Sequence, residues 1–187
     1  MQEYPLAKVF QLLEPGPTVL VSTAQDGRAN LMTMTWHMMM EFEPPLLACV
    51  CSGGNYSYEA LLETKECVIA IPALELAEKV VDIGNCSGRE VDKFATFGLT
   101  PLAASEVAPP LVAECFANLE CRVVDTSLVD KYALFVLEVV RAWRTPSLMG
   151  ADLRGPKTIH HNGDGTFRVD GTTLNLKARM VKWPEFV

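Results

Sequence analysis

Residues 18–40 read TVLVSTAQDGRANLMTMTWHMMM, and the Asp-Gly pair at 26–27 organises the whole stretch. Thr18–Ala24 is rich in β-branched residues, and Gln25-Asp26-Gly27-Arg28 is a hairpin signal. Asp and Gly tolerate the positive φ that a two-residue turn between antiparallel strands demands. The chain is expected to return as a second strand through Ala29–Met40. Its even positions, Asn30, Met32, Met34, Trp36, Met38 and Met40, form an almost unbroken apolar face, while Thr33, Thr35 and His37 make the other face partly polar. Such a strand serves either as a core face backed by solvent or as a platform for an apolar ring edged by hydrogen-bonding groups.

Outward from this hairpin, Leu46–Cys51 is apolar on both faces, which predicts a centrally placed third strand. It runs into Ser52-Gly53-Gly54-Asn55-Tyr56-Ser57 and then a short helix over Tyr58–Thr64. The glycines allow close backbone approach to a ligand, and Asn55 or Ser57 can cap the helix. Free N–H groups at the helix start favour an anion, typically phosphate, although a plain helix start after a flexible loop has the same sequence. Val68–Ile71 reads as another buried strand. Leu74–Ile83 reads as a helix with Leu76, Ala77, Val80 and Val81 inward, stopped by Gly84. The segment Ser87–Phe94 offers Arg89 and Lys93 as cations for phosphate, with Phe94 and Phe97 as anchors; the same charges can pair locally with Glu90 and Asp92. Glu114–Val124 and Tyr132–Ala142, joined by Asp125–Asp130, predict an antiparallel hairpin. Turn signals at Asn162-Gly163-Asp164-Gly165 and Asp170-Gly171 frame short strands in the tail. Many strands with few helices imply a barrel or sandwich, and closing the sheet would remove its edges.

The net charge of −7 and the lack of any basic run speak against nucleic acid or an anionic membrane as partner. A small phosphate-bearing ligand needs only a few local donors. Apolar runs are too short to span a bilayer and Met1–Phe10 has no signal-peptide character, so a cytoplasmic location is expected. Cys49, Cys51, Cys67, Cys86, Cys115 and Cys121 read as reduced thiols packed like small hydrophobes. Cys49 and Cys51 lack further ligands, and His160 and His161 point to opposite faces of a strand, so no metal is expected. Hydrolase, NTPase and Rossmann motifs (G-x-S-x-G, P-loop, G-x-G-x-x-G) do not occur.

The order GPTVLVSTAQDGRANLMTMTW (16–36), EPPLLACVCSGGNYSYEALLETKECVIAIP (43–72), SGREVDKF (87–94), LECRVV (119–124) and YALFVLEVV (132–140) resembles the flavin reductase-like split-barrel family. The tail KTIHHNGDGTFRVDG (157–171) is similar to its flavoredoxin branch. The resemblance covers residues 10 to 170 and implies a mainly β fold: an FMN-binding split β-barrel, antiparallel and of Greek-key type, with a few short helices. It implies one domain over 1–187, with a core at about 10–145 and a C-terminal hairpin extension at 146–187. It further implies a homodimer with FMN near the subunit interface. The isoalloxazine would lie against Thr33, Met34, Thr35 and Trp36 and the strand end Cys51–Ser52. The phosphate would lie at Asn55, Tyr56 and Ser57, with Arg89 and Lys93 as further contacts. NAD(P)H-dependent members carry Gly-Asp-His before a strand like LFVGEV, whereas this chain has Asp130-Lys131-Tyr132 there. The resemblance therefore implies an oxidoreductase-type flavoprotein in flavoredoxin-like electron transfer or flavin-dependent reduction, with a redox protein or NAD(P)H as partner. The alternatives are an NAD(P)H:flavin oxidoreductase using FMN as substrate and a non-catalytic split-barrel binding protein.

Overall fold

A computed structural model describes residues 1–148 and 155–179. The chain runs β1 (Gln2–Glu3), α1 (Phe10–Leu13), β2 (Val19–Gln25), β3 (Arg28–Met34), β4 (His37–Glu41), β5 (Leu46–Val50), α2 (Ser57–Thr64) and β6 (Glu66–Ile71). It continues through α3 (Ala77–Gly84), α4 (Lys93–Thr96), β7 (Pro101–Leu102), β8 (Leu111–Val112), β9 (Ala117–Asp125), α5 (Val129–Tyr132), β10 (Leu134–Arg144), β11 (Ile159–His161) and β12 (Phe167–Val169). The main sheet has the order β3-β2-β6-β9-β10-β5-β4, with β1 added to β10.

The first hairpin forms as its turn chemistry requires. Gln25 pairs with Arg28, and Asp26 (φ 53°) and Gly27 (φ 75°) both occupy the left-handed region. The predicted single strand Ala29–Met40 is instead two: β3 stops at Met34 and β4 starts at His37. β3 and β4 stand at opposite ends of the sheet order, yet only Thr35 and Trp36 separate them. The step from Met34 to His37 spans at most about 11 Å, so the two edges curl round until they meet at this corner. The Trp36 carbonyl accepts from Val50 N (3.0 Å) and pins the crossing. β3 and β4 do not pair with each other, and the barrel is split. Register shifts in the β10–β9 and β4–β5 ladders bend the strands toward this closure.

The barrel interior holds Val19, Val21, Leu47, Ile69, Leu119 and Phe135 together with the thiols of Cys49, Cys51, Cys67 and Cys121. Alternate residues of the same strands are also buried, because α3 and α4 cover the outer face. Leu20, Leu31 and Ala70 pack there against Val80, Ile83 and Phe94. Double coverage explains why β2 and β6 read as continuous apolar runs. α3 differs from its predicted face: Ile83 is buried and Val81 is 38% exposed, because a short 3-10 turn at Leu74–Leu76 rotates the helix start. The Glu114–Val124 and Tyr132–Ala142 hairpin forms as β9 and β10, shifted by a few residues, and the tail hairpin forms as β11–β12.

Candidate functional site

A cleft of about 370 Å3 opens where β3 meets the start of α2 and the segment that follows α3. Asn30, Met32 and Thr33 form one wall. Asn30 is the polar exception on an apolar strand face. It is 5% exposed, and its Nδ2 donates to Ser57 Oγ (2.9 Å), which also accepts from Thr23 Oγ1 (3.4 Å). These bonds lock the fully buried Ser57 as the first residue of α2. Asn30 Oδ1 is buried and has no partner, although a buried acceptor left unpaired costs about 1–3 kcal/mol. Thr33 Oγ1 donates to the Val80 carbonyl (2.5 Å) and ties α3 to the wall.

The helix start differs from its sequence reading in a way that matters. Neither Asn55 nor Ser57 caps α2. The N-cap position falls on Tyr56, and no side chain accepts from the first turn. Asn55 Nδ2 turns back to the Ser52 carbonyl (3.2 Å) and Ser52 Oγ (2.9 Å). The positive end of the helix beside the cleft thus has no side-chain cap, although the Asn55 carbonyl accepts from Tyr58 N (3.1 Å). Opposite it, Gly88 passes so near that a Cβ there would lie 2.1 Å from Asn30 Oδ1 and 2.5 Å from the Tyr56 ring. Only glycine admits this approach.

Arg89 and Lys93 are not equivalent. Lys93 is 4% exposed, and its Nζ donates to the Ile83 carbonyl (2.8 Å) at the C-terminal end of α3. Burial lowers its pKa, and the negative end of α3 favours its charge. Arg89 is exposed and sits over the Tyr56 ring at 5.5 Å from the centroid, with Arg28 at 5.8 Å from the same centroid.

Of the residues expected at a ligand, Thr33, Asn55, Tyr56, Ser57 and Lys93 line the cleft, with Arg89 against one of its side chains. The others do not line it. Met34 is buried in the barrel core, and Thr35 and Trp36 lie exposed at the split, Trp36 by 72%. Ser52 is exposed. Cys51 is buried with Sγ 3.9 Å from Met32 Sδ, and burial pushes its thiol pKa up to about 12. The cleft also contains Asn30, Met32, Gly84, Asn85, Cys86, Ser87, Gly88 and Glu90, which sequence reasoning did not place there. Two carried a signal: Asn30 breaks an apolar face, and Gly88 sits beside a polar loop residue.

The histidine pair is used structurally. His160 Nδ1 donates to the Gly16 carbonyl (3.0 Å) and its Nε2 meets Asp170 Oδ1 (2.8 Å), fastening the tail hairpin. His161 tilts against Phe167 at 4.9 Å. Among the described residues no cluster of His, Cys, Asp or Glu has metal-binding geometry, and no described helix is long and apolar enough to cross a membrane. Among its lining residues the cleft holds one cation, Lys93, one carboxylate, Glu90, a helix start without a side-chain cap and an unpaired acceptor. It suits an anion that also carries a hydrogen-bond donor.

The fold and the cleft together define a split barrel with a polar cleft beside the start of α2. The flavin reductase like domain model matches residues 13–163, and the chain belongs to that family. It is 34% identical to the Escherichia coli (strain K12) protein YddH over 170 residues, covering 86% of this chain and 90% of that one. The FMN-binding domain of a flavin reductases-like enzyme from Shewanella baltica OS155 superposes with a TM-score of 0.85 at 27% identity, over 92% of this chain and 95% of that one. Flavoredoxin of Desulfovibrio vulgaris (Miyazaki F) shares the fold, with a TM-score of 0.76 at 24% identity over 86% and 89% of the two chains.

Proposed function

We propose that this chain is an FMN-binding flavoprotein acting in flavoredoxin-like electron transfer or flavin-dependent reduction. The observation that carries this reading is the cleft itself. An uncapped helix start, a buried lysine and an unpaired Asn30 acceptor meet where a phosphate and a hydroxylated chain would need them. Bound FMN supplies the redox chemistry, and the protein supplies position and surroundings. The phosphate lies at Asn55, Tyr56 and Ser57, with Lys93 and Arg89 as cations; the Asn55 N–H itself is taken by the Ser52 carbonyl (2.9 Å). The ring lies along Thr33, Met34, Thr35 and Trp36 and the Cys51–Ser52 strand end.

The ring end is incomplete in one chain. Trp36, Met38, Met40 and Phe42 are 72%, 58%, 49% and 40% exposed along the split edge. Contiguous apolar exposure of this kind marks an interaction surface, and a second copy of the chain covers it in this reading. Homodimer formation in the cytoplasm follows as part of the same proposal, as does one domain with its core at about 10–145. Part of the 146–187 extension lies outside the described residues. Electron transfer to a redox protein is favoured over NAD(P)H:flavin oxidoreductase activity. The position that resembles the nicotinamide-linked histidine is Tyr132, 55% exposed at the end of α5 and under Lys131 Nζ at 5.0 Å.

The visible spectrum of the freshly purified protein, with release and identification of any flavin, tests the reading. A colourless protein that takes up no FMN ends it. Sedimentation at micromolar concentration tests the dimer, and a monomer refutes that part. Combining Ser57→Ala with Arg89→Ala is expected to weaken FMN binding about tenfold or more; unchanged affinity contradicts the site.

A further inference from the structure

Two cavities share the short helix α1 as a wall. One, of about 550 Å3, lies between Gln11, Leu12 and Pro15 and the stretch 170–173 that follows β12. The other is a groove of about 360 Å3 lined by Phe10 and Leu13, by the β4 residues Met39 and Met40, and by Phe42. Helical spacing puts Phe10, Leu13 and Glu14 on the face of α1 opposite to Gln11, Leu12 and Pro15. The groove is apolar with an acidic rim. Phe10 and Phe42 pack edge to face with 4.9 Å between ring centroids, and Met40 and Phe42 are 49% and 40% exposed. Glu14 and Glu41 line it and are exposed, and neither pairs with a described Lys, Arg or His. His37 adds no charge near neutral pH, because burial lowers its pKa against the bond from Nε2 to the Pro17 carbonyl (2.7 Å).

We infer that this groove is the docking site of the chain's own residues 180–187, MVKWPEFV, which strap α1 to β4 with Trp183 and Phe186 against the Phe10–Phe42 pair. The described chain leads there. It passes along the opposite face of α1 at 170–173 and then carries Leu174 and Leu176, 75% and 56% exposed, into the turn Lys177–Arg179. A helix is about 10 Å across. Three extended residues followed by one 3-10 turn cover about 16 Å, so the segment can round α1 and enter the groove. The charges are complementary. Residues 174–187 carry Lys177, Arg179 and Lys182 against one carboxylate, Glu185, the reverse of the groove rim. Large aromatic side chains supply most of the apolar area in such contacts, and the thioethers of Met39 and Met40 suit ring edges. A separate partner would need the same pairing of aromatic and basic residues that this chain already holds within reach. The strap takes the α1 end of the exposed apolar edge and leaves the Trp36 end to the second copy proposed above. Flavin has no part in it.

Hydrogen exchange of the 187-residue chain, read by mass spectrometry, tests the strap. Trp183→Ala is expected to speed exchange in 10–13 and 37–42 about tenfold, the scale of exposing one buried aromatic side chain. Exchange in β9 stays as it was, which shows that the barrel remains folded. Trp183→Phe keeps most of the protection. Trypsin reads the same contact through cleavage after Lys177 and Arg179. Glu14→Lys combined with Glu41→Lys is expected to raise that cleavage about fivefold, and adding Lys182→Glu restores part of the resistance. Dilution through the micromolar range leaves the protection of 10–13 unchanged, because segment and groove belong to one molecule. The inference is overturned if Trp183→Ala changes exchange in 10–13 and 37–42 by less than about twofold, or if the charge reversals leave cleavage unchanged. Protection of 10–13 that is lost on dilution would put the segment of another copy in the groove and overturn it equally.

Discussion

Glu120 on β9 is fully buried and accepts hydrogen bonds from Trp143 Nε1 (2.7 Å), Ser105 N and Oγ (3.1 Å) and Glu106 N (2.6 Å), whereas Asn30 on β3 is 5% exposed and leaves Oδ1 unpaired. Both are polar side chains closed into the same sheet. Burial pushes the Glu120 carboxyl up, but the donors of Trp143, Ser105 and Glu106 outweigh it and hold the pKa below the usual carboxylate value. The donors come from the 105–106 loop and the neighbouring strand, so Glu120 fastens that loop to the barrel without any cation. Asn30 has a fixed orientation, through Ser57, and an unmet need. One region is completed by the protein; the other keeps an unpaired acceptor.

The largest expected effect comes from breaking the completed region. Glu120→Ala strands three groups of donors and is expected to cost on the order of 3–5 kcal/mol in urea unfolding, while the folded protein keeps its FMN affinity. A loss below about 1 kcal/mol would remove the contrast. Acid sharpens it. A carboxyl with a depressed folded pKa contributes stability that is present above its unfolded value, about 4.3, and lost as pH falls through the folded value. Glu120→Gln is therefore expected to flatten the acid limb of a stability profile measured by thermal melting between about pH 6 and 3.

Gly88→Ala attacks the unfinished region. The added Cβ would meet Asn30 and the Tyr56 ring, so the 86–90 segment must shift. A stability loss of about 1–3 kcal/mol is expected, together with a fall in FMN affinity of more than about tenfold; retained affinity would show that the cleft is not the site. Ser57→Ala removes the acceptor shared by Asn30 and Thr23 and is expected to cost about 1–2 kcal/mol by calorimetry. Thr33→Val, which loses only the bond to the Val80 carbonyl, is expected to cost about 1 kcal/mol and to test whether α3 is held to the cleft wall mainly by packing.

The strand pattern, the Asp26–Gly27 turn, the β9–β10 hairpin and the family resemblance were all legible in the sequence. So was the short helix that follows the glycines, although not the way it starts. Asn55 and Ser57 are good capping types, but one turns back to Ser52 and the other turns inward to Asn30 and Thr23. Both withdrawals depend on partners supplied by other elements. The apolar periodicity of 30–40 likewise continued past Met34, while the strand did not. The alternation records which residues are apolar and not where a sheet must turn a corner.

Local chemistry by itself determined the elements of this protein: turns that require positive φ, runs that suit strands, and a glycine-rich helix entry. Tertiary structure alone decided that Thr35 and Trp36 bridge the two edges of the split barrel, that Lys93 is buried while Arg89 stays exposed, and that Arg28 joins Arg89 at Tyr56. The physical reason is that propensity and periodicity act over a few neighbouring residues. Register and barrel closure set which distant residues share a wall, and the cleft is made entirely of such meetings.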